Sequence, residues 1–466
     1  MSEAEVHLTT VDTHGARNRG GGRVIVRAVP QVVTLIPESD QEIINMSVGE
    51  ALGLLRADDP RSVLQIKGSF ALVAVDGHRV RLARSLNRPL RYFLAKAADG
   101  PVLVVADRID AIQQLLIAKG YGNQFHPSYT RMVPAHHVIE IQLVGCPDPN
   151  PLYHRFFDPP RATLPPNPET IGKAYLEALR AEIAQWLDFI PRDEPLGVLF
   201  SGGLDSGTVL LTLHDELLAR GQSGARLKAF TLAVDGGGED LSQAREFLHR
   251  TGLEFLGEEI EISGSTLDAK EAVAVIEDYK SLDVECATMA LALLKGIRER
   301  HPTWHALVDG DGGDENFKDY PIEENSELTI RSVVSNRMLY QEGWGIDAIK
   351  HSLTYSAGLS RGCVRGYAPA KRYGFSAFSP NTAPAVIAVS EAIPFADLTQ
   401  GSHEKLYALK GDLLSRGVRQ VLGRELPVFP KRRFQHGAMA ASSFQRHFTG
   451  DDSQYRNHFL GLHHTP

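Results

Sequence analysis

Short runs rich in apolar residues alternate with amphipathic segments through the second half of the chain, and this alternation constrains the fold most. Runs at 196–200, 227–235 and 254–262 have the length of strands. A segment whose apolar residues recur at helical spacing follows each of the first two, and a long helix is predicted at about 287–300. Strands that alternate with helices form parallel sheets covered on both faces. We therefore predict an α/β fold with a C-terminal parallel sheet and helices on both of its faces.

Strand patterns instead dominate residues from about 22 to 145. A hairpin is predicted at 69–84 with Asp76 and Gly77 as its turn, and a short helix is predicted to end at Gly120. This part of the sequence therefore predicts a mainly β, α+β domain that precedes the parallel sheet.

A proline-rich stretch at 146–168 separates these two patterns and predicts a linker. We place the domain boundary near residue 160. The predicted domains are therefore residues 1–160, including the linker, and residues 161–466.

Composition excludes several classes of protein. The formal net charge of −8 argues against a nucleic-acid binder that relies on bulk positive charge. We find no run of about 18 apolar residues and no N-terminal secretory pattern, so we predict neither a membrane span nor secretion. The 3 cysteines are widely separated and form neither a disulfide framework nor a CxxC pair. A reducing, cytoplasmic setting fits these features best.

A glycine-rich turn between a predicted strand and a predicted helix is the strongest functional signal. Backbone N–H groups at the start of a helix bind phosphate groups well, and glycine lets the backbone approach them closely. The two serines add hydroxyl donors, and the aspartate fits a Mg²⁺ ion that bridges to the phosphates. The predicted phosphate-binding residues are Ser201, Gly202, Gly203, Leu204, Asp205 and Ser206.

This turn resembles the pyrophosphate loop of N-type ATP pyrophosphatases, which cleave ATP between the α and β phosphates. A Walker sequence, GxxxxGK[ST], is absent. The resemblance implies an adenine nucleotide α-hydrolase-like fold for the second domain. It also implies adenylation of a carboxylate or a carbonyl oxygen with release of pyrophosphate.

A second glycine-rich segment, 308–315, follows another predicted strand and resembles the SGxGxDE loop of asparagine synthetases and β-lactam synthetases. By this resemblance Asp205 and Asp314 are the two magnesium-binding aspartates, and Gly310 belongs to the ATP site. Asp311 takes the position that is acidic in asparagine synthetases and tyrosine in β-lactam synthetases. A carboxylate there would position the acceptor amine or remove its proton, so Asp311 is predicted to be catalytic.

Two further segments extend the resemblance. Phe230, Thr231 and Leu232 resemble the strand beside the adenine, which makes Leu232 a predicted ATP contact. Residues 431–437 resemble the family's K-x-x-F-x-x-G loop, whose lysine stabilises charge on the acyl-adenylate. Lys431 takes that position and is the second predicted catalytic residue.

The first domain resembles the glutaminase domain of asparagine synthetases, but its catalytic features are missing. The segments 68–72 and 84–92 are similar to the family's GxFA and RDxxGxxPLYY patterns. Glutamine hydrolysis in the family needs an N-terminal cysteine, whereas this chain has Ser2 and no cysteine before Cys146. The resemblance therefore implies an N-terminal-nucleophile (Ntn) hydrolase-like scaffold that has lost glutaminase activity.

We consider three functions. The first is an ATP- and Mg²⁺-dependent amide synthetase acting on a small-molecule or peptide carboxylate and an amine or ammonia. Within that class, β-lactam or carbapenam ring closure and peptide macrocyclisation use the same chemistry. The second is a tRNA-modifying pyrophosphatase, which the acidic charge and the lack of a CxxC pair disfavour. The third is an inactive scaffold or regulatory partner. No nucleic-acid or membrane partner is predicted, and the sequence is compatible with a homo-oligomer.

Overall fold

A computed structural model describes residues 31–97, 100–144, 150–319, 329–335, 366–429 and 437–464. The chain divides into two units. The first unit ends at Phe157 and also contains the residues from His463 onward. The second unit is Asp158–Leu462.

The described part of the first unit is mainly β. Its helices are α1 (Val48–Arg56) and α2 (Ile109–Ala118). Its strands are β1 (Gln31–Thr34), β2 (Glu42–Ile43), β3 (Gly68–Ser69), β4 (Ala71–Asp76), β5 (Arg79–Arg84), β6 (Arg91–Ala97), β7 (Gly100–Ala106), β8 (Arg131–Met132), β9 (His137–Gln142) and β10 (Leu152–Arg155).

Two sheets of the first unit share one apolar core. One sheet has the strand order β1-β7-β6-β8 and the other has the order β10-β9-β5-β4. Leu103 and Val105 from the first sheet and Leu82 and Ile139 from the second belong to the same buried cluster. Helix α1 packs against β4 and β5, and α2 packs against β6 and β7. The expectation of a mainly β first domain is therefore confirmed.

The second unit alternates strands and helices, as predicted. Its strands are β11 (Leu196–Leu199), β12 (Leu227–Val234), β13 (Gly257–Ile262), β14 (Ala306–Val308) and β15 (Ser376–Phe378). Its described helices are α3 (Pro168–Phe189), α4 (Leu204–Ala219), α5 (Glu239–Thr251), α6 (Ala269–Ile276), α7 (Ser281–Arg300), α8 (Gly313–Phe317), α9 (Ile330–Val334), α10 (Ala368–Arg372), α11 (Pro384–Glu391), α12 (Phe395–Thr399), α13 (His403–Leu422), α14 (Ala441–His447) and α15 (Asp452–Leu462).

The sheet of the second unit is parallel throughout its described strands and has the order β13-β12-β11-β14-β15. Successive side chains of a strand point to opposite faces. Leu196 and Val198 accordingly pack with α3, α4 and α13, whereas Phe230 and Leu232 pack with α7. Both faces are covered by helices, which confirms the predicted α/β class.

Helices α3 and α13 approach each other unusually closely through two glycines. A β-carbon on Gly172 would overlap the carbonyl oxygen of Leu413, and a β-carbon on Gly417 would overlap the carbonyl oxygen of Gly172. The two backbones therefore touch, and no larger residue fits at either position without separating the helices.

Chain order reverses at the centre of the parallel sheet. The chain runs outward from β11 through β12 to β13 and then returns to β14 on the other side of β11. Such a switch point leaves a crevice at the carboxyl ends of the two central strands, where ligands of open α/β sheets bind. In the described ranges, no helix is both long enough and apolar enough to cross a membrane.

Three details differ from the sequence predictions. The hairpin pairs Asp76 with Arg79, so Gly77 and His78 form its turn rather than Asp76 and Gly77. The predicted linker contains β10, which pairs antiparallel with β9. The helix predicted from residue 287 begins at Ser281. Tertiary pairing and packing, which local composition does not encode, decide these three details.

Candidate active site

Both glycine-rich turns follow the carboxyl ends of the two central strands. The first connects β11 to α4, and the second connects β14 to α8. Gly202 adopts φ +74°, and a β-carbon there would lie 2.7 Å from the backbone nitrogen of Ala244. Only glycine meets both demands, because the left-handed backbone and the close approach of α5 each exclude a side chain.

Hydrogen bonds within the first turn hold its two serines together. The Oγ atoms of Ser201 and Ser206 lie 3.3 Å apart, and the Gly203 N–H donates to the Ser201 Oγ at 3.3 Å. The Gln243 side chain donates to the Ser201 carbonyl from α5 at 3.4 Å. Helix α4 begins at Leu204, so its first-turn N–H groups lie at the crevice. The turn thus presents backbone donors and hydroxyl groups on one side, which suits an anion.

The two turns are packed directly against each other. A β-carbon on Gly310 would lie 2.6 Å from the Ser206 nitrogen and 3.0 Å from the Asp205 β-carbon. A β-carbon on Gly313 would overlap the Asp205 carboxylate. The predicted phosphate-binding residues of the first turn and Gly310 of the second are therefore neighbours.

A buried lysine joins the two predicted metal-binding aspartates. Lys410 Nζ lies 2.5 Å from Asp205 Oδ2, 2.6 Å from Asp314 Oδ1 and 3.6 Å from Asp319 Oδ2. Burial lowers the pKa of the Lys410 ammonium, but the three carboxylates outweigh that effect and hold the pKa above its usual range. The sequence analysis missed Lys410 and Asp319.

The donor set suits a magnesium ion that the substrate phosphates help to bind. The described residues contain no group of three or more His, Cys, Asp or Glu side chains that would cage a metal ion. Mg²⁺ needs no such cage, because it commonly takes one or two carboxylates, several waters and substrate phosphates. The Lys410 ammonium already lies between Asp205 and Asp314 as a stand-in cation. The site therefore fits a cation held by these two aspartates.

A network of buried polar side chains holds the second turn in place by a hydrogen bond to its backbone. The Asn381 side chain donates to the Gly310 carbonyl at 3.0 Å, and its Oδ1 accepts from the Tyr175 hydroxyl at 3.0 Å. Asn316 donates to the same hydroxyl at 2.9 Å. Burial is the main cause that raises the pKa of Tyr175, so its hydroxyl stays protonated and can donate. Sequence reasoning did not find this network, whose members come from three distant segments.

Asp309 and Asp311 place two carboxyl groups at the start of the second turn. The Asp311 N–H donates to Asp309 Oδ1 at 3.0 Å, and Asp311 itself is half-buried. Asp309 is only 5% exposed. Burial raises the pKa of Asp309 to about 6, although Ser379 and the Asp311 N–H favour its ionised form.

We expect Asp309→Asn to stabilise the protein at neutral pH. A raised carboxyl pKa favours the protonated folded state, so wild-type stability is lost as the pH rises from about 4 through about 6. The variant avoids the buried charge and should gain up to about 3 kcal/mol at pH 7 and nothing near pH 4. Melting temperatures across this pH range test the prediction, with the exposed Asp193→Asn as control. A pH-independent difference would contradict it.

The remaining predicted residues lie nearby or outside the described ranges. Leu232 is on β12, only 2% exposed, and packs in the core beside α7. Lys431 lies outside the described residues. The end of its loop is described, since the Ala438 carbonyl accepts from the Val234 N–H at 3.1 Å and Gly437 packs against Asp240. The loop therefore ends beside α5, the helix that supports the first turn.

These features define an α/β domain with two glycine-rich turns at the strand ends beside its switch point, the place where ligands of open α/β sheets bind. Residues 190–367 match the family model for asparagine synthase. The match spans less than half of the chain and includes β11, β14 and both glycine-rich turns.

A curated relative from the same family is also similar to part of the chain. The chain is similar to the nodule asparagine synthetase [glutamine-hydrolyzing] of Pisum sativum, with 26% identity over 221 residues. The match covers 42% of this chain and 36% of the relative. The similarity thus spans little more than a third of the relative's length.

Proposed function

We propose that the protein is an ATP-dependent amide synthetase that adenylates a carboxylate, releases pyrophosphate and transfers the acyl group to an amine or ammonia. One observation carries this proposal. The two glycine-rich turns bring Asp205 and Asp314 to the same cation, the Lys410 ammonium, at the carboxyl ends of adjacent parallel strands. If segment 308–315 were only an acidic surface loop, nothing would require it to pack against the turn at 201–206.

Each turn has a distinct task in this proposal. The backbone N–H groups and serine hydroxyls of 201–206 bind the pyrophosphate portion of ATP. Asp205 and Asp314 would hold a magnesium ion, whose charge would offset that of the phosphates and favour the departure of pyrophosphate. Gly310, which packs against Ser206, borders the nucleotide pocket, whereas Leu232 can contribute only its backbone because its side chain lies in the core. The turns thereby position ATP and the carboxylate for in-line reaction.

Asp311 is proposed to act on the amine that accepts the acyl group. It is half-buried and belongs to the same glycine-rich turn as Asp314, which supports its placement beside the magnesium aspartates. A carboxylate there attracts a protonated amine and can accept a proton as the amine attacks the acyl-adenylate. Amide formation then releases AMP.

The first unit is proposed to act as a scaffold without glutaminase activity. Arg84, which matches the arginine of the family's RDxxGxxPLYY pattern, is fully buried. Its guanidinium donates to the backbone carbonyls of Val133 and Leu86 at 2.6 and 2.9 Å. These contacts support a structural role for the segment. Without glutaminase activity the first unit would supply no ammonia, so the amine would come from free ammonia or a separate amine substrate.

Release of AMP and pyrophosphate from Mg²⁺-ATP tests the function. The reaction is run with no acceptor, with aspartate plus ammonia, with aspartate plus glutamine, and with a panel of other carboxylic acids and amines. Pyrophosphate release that depends on a carboxylate, with an amide as product, is the expected result. Product formation from glutamine would contradict the scaffold role of the first unit. Absence of both turnover and ATP binding would contradict the synthetase itself.

We expect Lys431→Met to slow amide formation by about a hundredfold or more, because a cation aimed at developing negative charge contributes on that scale. Arg433→Met, in the same basic run, is the matched control and should change the rate little. Product formation and pyrophosphate release are measured together. Equal effects of the two substitutions would show that the run acts only through its overall charge.

A further inference from the structure

Lys410 lies on the apolar face of a long helix. Helix α13 begins after Ser402, whose side chain caps it by accepting from the Lys405 N–H. Leu406, Leu409 and Leu413 on the same helix are buried in the core. Lys410 is only 3% exposed among them. Full burial of a lysine is rare unless a carboxylate is its partner.

The ammonium holds two like charges together. Asp205 and Asp314 come from different turns, and each has an oxygen within 2.6 Å of the same nitrogen. The two oxygens therefore lie within about 5 Å of each other, a separation at which partly buried carboxylates repel strongly. The lysine supplies the charge that keeps both turns in place when no metal is bound.

A metal ion would need the same two carboxylates. Mg²⁺ binds oxygen at about 2.0–2.1 Å and demands a regular arrangement of ligands, so it and the ammonium cannot both remain between Asp205 and Asp314. Asp319 offers the displaced ammonium a third carboxylate, since its Oδ2 already lies 3.6 Å from Nζ. Asp319 is itself buried and is tied to the second turn by its N–H, which donates to the Asp314 carbonyl at 3.0 Å.

We propose that Lys410 is a built-in counter-ion that assembles the magnesium carboxylates before the metal arrives and then exchanges with it, retaining Asp319 as its partner. The proposal rests on the magnesium site of the proposed function. It makes Lys410 and Asp319 positioning residues, and it predicts that the protein's stability and its affinity for magnesium are coupled through them.

A second buried lysine provides the control. Lys318 is 5% exposed, and its ammonium lies 4.8 Å from the centre of the Phe395 ring. Burial lowers the pKa of Lys318, with Glu391 acting in the opposite direction. Lys318→Met therefore removes a buried lysine that makes neither of the two aspartate contacts.

The test measures melting temperature in EDTA and across a titration with MgCl₂ alone, without ATP. Lys410→Met should melt well below the wild type in EDTA, and Mg²⁺ should recover much of that loss. Wild type and Lys318→Met should each gain little from Mg²⁺. Lys410→Arg should melt between the wild type and Lys410→Met in EDTA, because it keeps the charge but carries a larger, planar group.

Affinity for magnesium gives an independent readout. Without its competing ammonium, Lys410→Met should bind Mg²⁺ roughly tenfold more tightly than the wild type, the scale on which charges in one network couple. Asp319→Asn should bind Mg²⁺ more weakly than the wild type, since the lysine then has only the two metal carboxylates as partners. Calorimetric titration with MgCl₂ measures both changes.

Two results would overturn the inference. One is a Lys410→Met variant whose response to Mg²⁺ equals that of Lys318→Met, which would leave Lys410 a structural ion pair. The other is unchanged Mg²⁺ affinity in Asp319→Asn. Neither readout requires turnover, so failure of the synthetase assay in the wild type would be recognised separately.

Discussion

Asp205→Asn is expected to slow ATP-dependent pyrophosphate release by at least about a hundredfold, the scale on which loss of one preorganised electrostatic group slows catalysis. Asp205 lies in the first turn of helix α4 and, with Asp314, contacts the Lys410 ammonium. The amide has nearly the same shape as the carboxylate but carries no charge for a metal. Pyrophosphate release with saturating ATP and magnesium is the measurement.

The control for this variant lies on the same helix. Asp215 is ten residues further along α4 and pairs with Arg180 at 3.4 Å, away from the crevice. Asp215→Asn should therefore leave pyrophosphate release within a factor of about two, as expected of a partly exposed ion pair. Melting temperatures show whether both variants remain folded. Full activity of folded Asp205→Asn would remove this residue from the metal site.

Gly202→Ala is expected to destabilise the protein by roughly 2 to 4 kcal/mol, because backbone strain and crowding add. The new β-carbon would meet the Ala244 backbone at 2.7 Å, in a left-handed conformation that alanine disfavours. To relieve this crowding, either α5 or the first glycine-rich turn would have to move. We therefore also expect weaker ATP binding, with the dissociation constant measured by calorimetry.

The matched control is Gly221→Ala, just beyond the end of α4, the helix that follows the first glycine-rich turn. Gly221 adopts φ +66°, but a β-carbon there would meet nothing within 4 Å. This variant should lose about 1 kcal/mol from backbone strain alone and should bind ATP like the wild type. Equal losses in the two variants would show that crowding against α5 does not matter.

The sequence predicted the parallel sheet and both turns because their signals are local. Apolar periodicity marked α4, and a glycine pair marked the turn between β11 and α4. The strand order was not predicted, because right-handed crossovers leave several orders possible. The contact between the turns depends on that order, since it requires β11 and β14 to be neighbours.

Lys410 was not predicted because its partners are remote in sequence. Asp205 and Asp314 lie 205 and 96 residues away from it along the chain. A signal was nevertheless present, since a lysine interrupts an otherwise apolar face formed by Leu406, Leu409 and Leu413. A charged residue on a buried face calls for an opposite charge nearby.

The proline-rich stretch was misjudged for a related reason. Composition predicted a linker, yet Leu152–Arg155 pairs with His137–Gln142 as an antiparallel strand. Prolines flank this strand in the sequence but do not occur within it. Strand pairing depends on the partner edge, and local composition does not reveal where an edge is free.

The glycine contact between α3 and α13 has a consequence for how this protein can diversify. Gly417 follows Lys410 by seven residues, or about two helical turns, so backbone contact in the core fixes how far the ammonium projects toward the strand ends. Among the described residues, this spacing is set by backbone contact inside the core. Loops around the crevice can therefore change in sequence or length without moving the Lys410 ammonium away from Asp205 and Asp314.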